Sequence, residues 1–486
     1  MYTTYRRLCT CFPFSDMKEK MVTYATVNLT KKNSLIFILI FTGIVVFDST
    51  IVKFSSYSAA ELPVQLNFAI FVIFSIIFVT TSVMLINSVR KSISSQPHKP
   101  GPPPPLALRY FHVIINTTLI LTVAIILMII LQMILLNNYS LILIRVQTYL
   151  SHLSPLILLS FLIFLFGSWL TSKRNYIIVL YAISLSLVSA NLVISLIYLE
   201  FYLSSSPVSD IKPYPIVSYV TNVFPPSSAE LLSAAFDALS LSSFLLMWIA
   251  TAILLSQYRY RMGKIKYFSL MSIPLIYYIF PFQNYFGDVF FPLLYSSPVA
   301  FSIIYILIFS ATKQVGALLF SLTFWTASSV VYDDRVRKSL LVSSIGIVVL
   351  FGSIEITPLQ YHVYPPYGLI TESFIPIGAY LLLVGIFTSA KHISQDAKLR
   401  KEFYKSAESQ LALLKTIGVS QMEKEFENKV KFLEERSRLS ERTDVPHLEE
   451  ENLEEEHVKQ ILHDVLNELY YSKKKSKEER DRNHRY

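Results

Sequence analysis

Asp48, Arg145, His152, Asp237 and Glu355 are ionisable residues set within, or at the end of, long apolar runs. In hydrocarbon such groups are costly unless they pair, face water or reach an interface, so they mark where ligand or ion chemistry can occur. Three carboxylates and one guanidinium at similar depth can line a shared outward-facing pocket, with Arg145 bridging the acids. In the alternative reading each one reaches the nearer interface separately, which costs little for a long side chain. His152 sits deeper and reads either as a hydrogen-bond partner for a neighbouring span or as a proton relay. Arg109 and His112 lie at the mouth of a span, where reaching for the interface is the default.

Other chemistry is poorly represented. The chain has no H-E-x-x-H, no phosphate-binding G-x-x-x-x-G-K-[S/T], no G-x-G-x-x-G and no G-x-S-x-G elbow. Cys9 and Cys11 are the only cysteines, too few for a disulfide framework or a complete metal site. His457 and His463 are six apart on an expected helix and point to different faces. An enzyme is supported only through the intramembrane polar residues, no cofactor is implied, and no specific nucleic-acid signal is present.

The elements that must position these residues follow from composition. Hydrophobic residues make up 53% of 486 and charged residues 16%, unlike an ordinary soluble chain. The charge is also segregated, with 20 of the 43 basic and 21 of the 34 acidic residues after position 390. An all-α, polytopic membrane domain followed by an amphipathic helical tail is expected. Its spans are Ser34–Val52, Leu66–Val89, Phe111–Leu136, Ile142–Leu170, Tyr176–Tyr198, Leu231–Leu255, Phe290–Ala311, Val315–Val331, Ser339–Ile356 and Phe374–Ala390, each close to the roughly 20 residues a crossing needs. No cleavable signal precedes the first, which reads as an uncleaved anchor.

Lys and Arg near the span ends set the orientation. Arg6, Arg7, Lys31 and Lys32, then Arg90, Lys91 and Lys99, then Lys173 and Arg174, then Arg259 to Lys266 all fall on one side, taken as cytoplasmic. Ten crossings keep Arg335, Arg337 and Lys338 on that side. They also put both chain ends in the cytoplasm, in a cell membrane. Eleven crossings is the alternative. In the ten-crossing arrangement the aromatic stretch Tyr267–Tyr295 does not span, and reads as an interfacial belt broken by proline or as a re-entrant unit.

This divides the chain into a cytoplasmic segment 1–33, a transmembrane domain 34–390, juxtamembrane amphipathic helices 391–443 and a final helix and basic tail 444–486. The cytoplasmic loop SSQPHKPGPPPP reads as a stiff spacer. In the tail, Leu399, Phe403, Ala407, Leu411 and Leu414 share a face, continuous with the last span. Gly418 interrupts, and Ser420 with Glu423 forms a capping box that restarts the helix. Its stripe, Met422, Phe426, Val430 and Leu433, needs a partner: another tail helix, a second protomer or a cytoplasmic protein. Beyond that, the expected partner is the lipid bilayer. Glycine is scarce, 12 in all, with no G-x-x-x-G, which argues against broken-helix transport.

Thr388-Ser-Ala-Lys-His-Ile-Ser-Gln-Asp-Ala-Lys-Leu-Arg400, running on to Ile417-Gly-Val-Ser-Gln-Met-Glu423, resembles a juxtamembrane stretch in uncharacterised polytopic membrane proteins of ammonia-oxidising archaea. The resemblance implies a multi-span region joined to a helical tail and supplies no site. Two functions are expected from these features: a receptor-like or scaffolding protein coupling the spans to the tail, or a transporter or channel using the polar residues.

Overall fold

The computed structural model describes residues 30–57, 64–94, 106–172, 175–205, 210–211, 226–256, 259, 263–279, 296–297, 300, 304, 312–354, 364–396, 399–400 and 409–440. Glu355, Cys9, Cys11, the proline-rich loop, most of Phe290–Ala311, and the segment 444–486 with its histidines lie outside them. The helices are α1 (Lys31–Tyr57), α2 (Val64–Ser94), α3 (Leu106–Leu136), α4 (Leu141–Ser172), α5 (Tyr176–Ser205), α6 (Pro226–Leu255) and α7 (Lys264–Ile279). After them come α8 (Thr312–Val330), α9 (Asp334–Ser353), α10 (Leu369–Ser373), α11 (Ile375–Gln395) and α12 (Ser409–Ser440). One short antiparallel pair, β1 (Tyr139–Ser140) with β2 (Asp210–Ile211), ties the turn after α3 to the turn after α5.

Among the described residues, seven helices are long and apolar enough to cross a membrane: α2 to α6, α9, and α10 with α11 as one run. The chain is thus an all-α, multi-pass membrane protein, with fewer clear spans than the ten expected from sequence. Helix α8 is a shorter apolar helix. The helices expose large apolar side chains outward, for instance Ile120, Leu135 and Phe164, as a bundle solvated by lipid does.

Helices α9 and α11 form the centre of the bundle and make its most extensive helix–helix contact. Every residue from Leu369 to Ala390 is buried, as is Leu340 to Ile354. Glycine makes this crossing close. A Cβ on Gly346 would strike the backbone of Leu382, and one on Gly378 would strike that of Leu350. A Cβ on Gly385 would meet Ser343. The motif search missed this because the small residues face each other across two helices instead of repeating along one.

Two ends of the bundle can be told apart by contacts. At one, Lys31 Nζ donates to Ser329 Oγ at 2.8 Å, and α12 lies across the end of α4, the start of α5 and the end of α11. At the other, the Tyr367 hydroxyl donates to the Asn67 carbonyl at 2.8 Å. Helix α7 starts near the first end, where the Tyr267 hydroxyl donates to the Ala252 carbonyl at 2.9 Å. It runs antiparallel to α6 until Tyr278 meets Ser240 at 2.8 Å. The described half of the aromatic stretch is therefore a helix about 24 Å long packed along α6, and it does not lie flat at an interface. Pro274 sits inside it.

The tail departs from expectation in two places. Helix α11 ends at Gln395, and Asp396 is extended, with φ −112° and ψ 102°, so the last span does not run unbroken into the tail. The Asp396 carboxylate accepts the Leu399 N–H at 3.0 Å and begins a new turn, as an aspartate at a helix start does. In contrast, α12 passes through Gly418 and Ser420 without interruption. Gly418 is there because its α-carbon rests on the Ile393 side chain.

Candidate functional site

A polar centre lies near the end of the bundle opposite α12, inside the helices. The carboxylate of Asp48, 1% exposed on α1, accepts the Gly368 N–H with both oxygens at 3.1 Å. It also accepts the hydroxyl of Thr371. This carboxylate caps the start of α10, where Gly368 has φ +93° and no capping side chain of its own. Glycine is the residue suited to that left-handed backbone, and an anion suits the free N–H groups of a helix start.

Helix α4 supplies the facing wall. Gln147, fully buried, places Nε2 2.9 Å from Ser373 Oγ, 3.0 Å from Ser151 Oγ and 3.2 Å from Thr122 Oγ1. One amide nitrogen thus joins α3, α4 and α10. One turn further along α4, His152 Nδ1 lies 2.9 Å from the Thr148 carbonyl and 2.9 Å from Glu372 Oε1. A carbonyl only accepts, so Nδ1 carries a hydrogen and spends it on Thr148. Glu372 is 1% exposed, and neither of its oxygens accepts a hydrogen bond. Gln147 Oε1 and Thr148 Oγ1 are likewise buried without a hydrogen-bond partner. Buried polar atoms are nearly always satisfied, so such a concentration points to a site.

Aromatic packing braces the junction of α10 and α11. The Phe374 ring packs edge-on against Phe78 at 4.7 Å and against Phe41 at 5.1 Å. Pro376 follows, with no N–H to return to the carbonyl of Glu372 four residues earlier. The break between α10 and α11 falls at Phe374, two residues past Glu372, whose side-chain oxygens accept no hydrogen bond.

Of the sequence candidates, Asp48 and His152 converge on this centre. Arg145 does not bridge the acids. Its Nη2 pairs with Glu200 Oε2 at 2.8 Å, in a half-exposed contact between α4 and α5. Asp237 is exposed on α6. Glu355 lies outside the described residues. The single pocket imagined for all four acidic and basic groups is thus not formed by Asp48 and Arg145. His112 does not reach for the interface either: its Nδ1 is hydrogen-bonded to the hydroxyl of buried Tyr380 on α11. Glu372, Gln147, Thr371 and Ser373 were missed. The signal for Glu372 was available as a carboxylate two residues before the expected start of the last span.

At the other end of the same helical run, Ile393 and Ser394 meet α12. Leu413, Leu414 and Ile417 insert among Phe166, Tyr181, Phe324, Leu340 and Ile386. Trp169 Nε1 donates to Gln421 Oε1 at 3.1 Å, and Asn175 Nδ2 donates to Thr416 Oγ1 at 2.9 Å. Ser172 donates to the Glu423 carboxylate. The apolar face of α12 from Leu413 to Met422 is covered by the chain's own bundle.

No groups of three or more His, Cys, Asp or Glu suited to a metal ion occur among the described residues. No family model matches the chain, and no curated protein or solved structure matches it.

Proposed function

We propose that this multi-pass membrane protein is receptor-like: it registers a change at the buried polar centre and passes it to the tail helix α12 on the cytoplasmic side. The observation carrying this reading is one helical run, α10 and α11. It holds Thr371, Glu372 and Ser373 in the polar centre and Ile393 and Ser394 under α12. Because Asp396 breaks the helix, the signal passes sideways, through Ile393 against Gly418 and Ser394 against Glu425, and not along a continuous rod. Lys31 and Lys338 both belong to helices at the α12 end, which supports a cytoplasmic placement for that end and for both chain ends. The archaeal resemblance, spanning 388–423, covers this joint.

The test is thiol reactivity at Val419→Cys, a buried position on α12, in full-length protein lacking Cys9 and Cys11. Glu372→Gln and Thr371→Val are expected to change the labelling rate by about tenfold, the effect of shifting a docking equilibrium by about 1.4 kcal/mol. Equal rates in all three proteins would contradict the reading.

A transporter or channel is the second reading. It is favoured by two carboxylates, Asp48 and Glu372, held fully inside the bundle on different helices. Ion flux in proteoliposomes that survives combined Asp48→Asn and Glu372→Gln substitution would remove that mechanism.

A further inference from the structure

We propose that the polar centre binds one dehydrated monovalent cation of the sodium class, with Glu372 as its anionic ligand. The inference deepens the receptor-like reading by naming the ligand of the same centre, and it rests on that reading only for its consequence at α12.

The donors and acceptors of the centre do not balance. Glu372 Oε1 and Oε2, Gln147 Oε1 and Thr148 Oγ1 are buried oxygens without a hydrogen-bond partner. They sit on α10 and on adjacent positions of α4, two elements held together by the contacts of Gln147 to Ser373 and His152 to Glu372, both 2.9 Å. Pro376 brings no N–H to the turn that follows Glu372, and the helix breaks at Phe374, beside this carboxylate. Unwound backbone at a helix break beside a carboxylate is the arrangement by which membrane helices coordinate small cations. The neighbouring hydrogens are already used: His152 Nδ1 donates to Thr148, and the Asp48 oxygens take Gly368 and Thr371.

Charge selects the class. Asp48 is committed to capping α10, which leaves Glu372, among the described residues, as the carboxylate of the centre whose oxygens accept no hydrogen bond and have only the His152 ring beside them, and one positive charge neutralises it. A calcium-like ion takes six to eight oxygens, typically from several carboxylates, and a magnesium-like ion keeps several waters. Among the described residues the centre offers one carboxylate that accepts no hydrogen bond, Glu372, among helices in close contact. No thiolate stands among the described residues of the centre, and thiolates are the ligands that select thiophilic metals.

The experiment measures thermal unfolding of full-length protein in nanodiscs, titrated with NaCl against choline chloride at equal ionic strength, with KCl as a third series. A saturable rise in Tm with Na⁺ but not choline is expected, as for any ligand that binds only the folded state. Glu372→Gln is expected to abolish the rise, and Thr148→Val to raise the half-saturating concentration about tenfold. Identical Tm in all three salts would overturn the proposal. So would a Na⁺ response retained in Glu372→Gln. If that variant fails to fold, an unchanged half-saturating concentration in Thr148→Val overturns it. A Na⁺-dependent Tm with an unmoved α12 would uphold the cation site and remove the coupling to the tail.

Discussion

Asp48 on the first helix and Gly368, 320 positions later, meet through one backbone N–H that lies 3.1 Å from both carboxylate oxygens. This contact anchors the start of the central helical run to the edge of the bundle. A charged cap on a buried helix start costs the desolvation of the carboxylate and returns charge-assisted hydrogen bonds. It also fixes where Thr371, Glu372 and Ser373 sit. Asp48→Ala is expected to destabilise the protein by about 1–3 kcal/mol, since it leaves buried donors without an acceptor. A double-mutant cycle with Thr371→Val, read by thermal unfolding, should show the two changes to be less than additive. Strict additivity would show that the hydroxyl and the carboxylate do not act together.

Glycine substitutions separate close packing from mere occurrence. Gly346→Ala places a methyl group against the Leu382 backbone, whereas the added carbon at Gly43 meets nothing within 4 Å. The first is expected to cost about 1–3 kcal/mol by overpacking. The second should be neutral or stabilising by up to about 1 kcal/mol through helix propensity. Thermal unfolding of the two variants side by side checks the order, and a reversed order would contradict the α9–α11 crossing.

Docking of α12 can be loosened at one position. Gly418→Val is expected to push α12 off Ile393 and speed limited proteolysis within α12 about tenfold, a shift of about 1.4 kcal/mol in local opening. Ile393→Ala should restore much of the protection by making room. Failure of that rescue would mean that Gly418 matters to the helix alone.

The Arg145–Glu200 pair is more than a third exposed on both sides. Its coupling energy should therefore stay at or below about 1 kcal/mol, and salt should weaken it if the contact borders water. A double-mutant cycle at two ionic strengths measures this. A large, salt-independent coupling would place the pair at the functional centre after all.

The apolar runs made the helices legible, because lipid requires an uninterrupted apolar surface of known length. The partners of the buried charges were not, and for one reason. A reading that ends a span at the last apolar residue trims away the charges just beyond it. The apolar runs end at Tyr198 and begin again at Phe374, which places Glu200 and Glu372 in loops. In the structure α5 continues to Ser205 and α10 begins at Leu369, so both acids are helical and meet Arg145 and His152. Asp48 and His152 were recognisable because they interrupt runs from within. Gly418 and Asp396 misled in opposite directions. A glycine can be kept for a close contact that only the fold reveals, and an aspartate between Gln395 and Ala397 gives no sign that it ends one helix and starts another. Tyr267–Ile279 is obscured by Pro274 and its aromatic residues, which describe an interface as well as they describe packing along α6.

The central claim is that the polar centre and α12 are coupled through α10 and α11. Pulsed electron–electron distance measurement addresses it most directly. Spin labels would be placed at exposed Tyr176 on α5 and exposed Lys431 on α12, in full-length protein with Cys9→Ser and Cys11→Ser. Relative to the parent, Glu372→Gln is predicted to displace the mean distance or to populate a second one, with the fold intact by thermal unfolding. Superimposable distance distributions for the parent, Glu372→Gln and Thr371→Val would contradict the coupling.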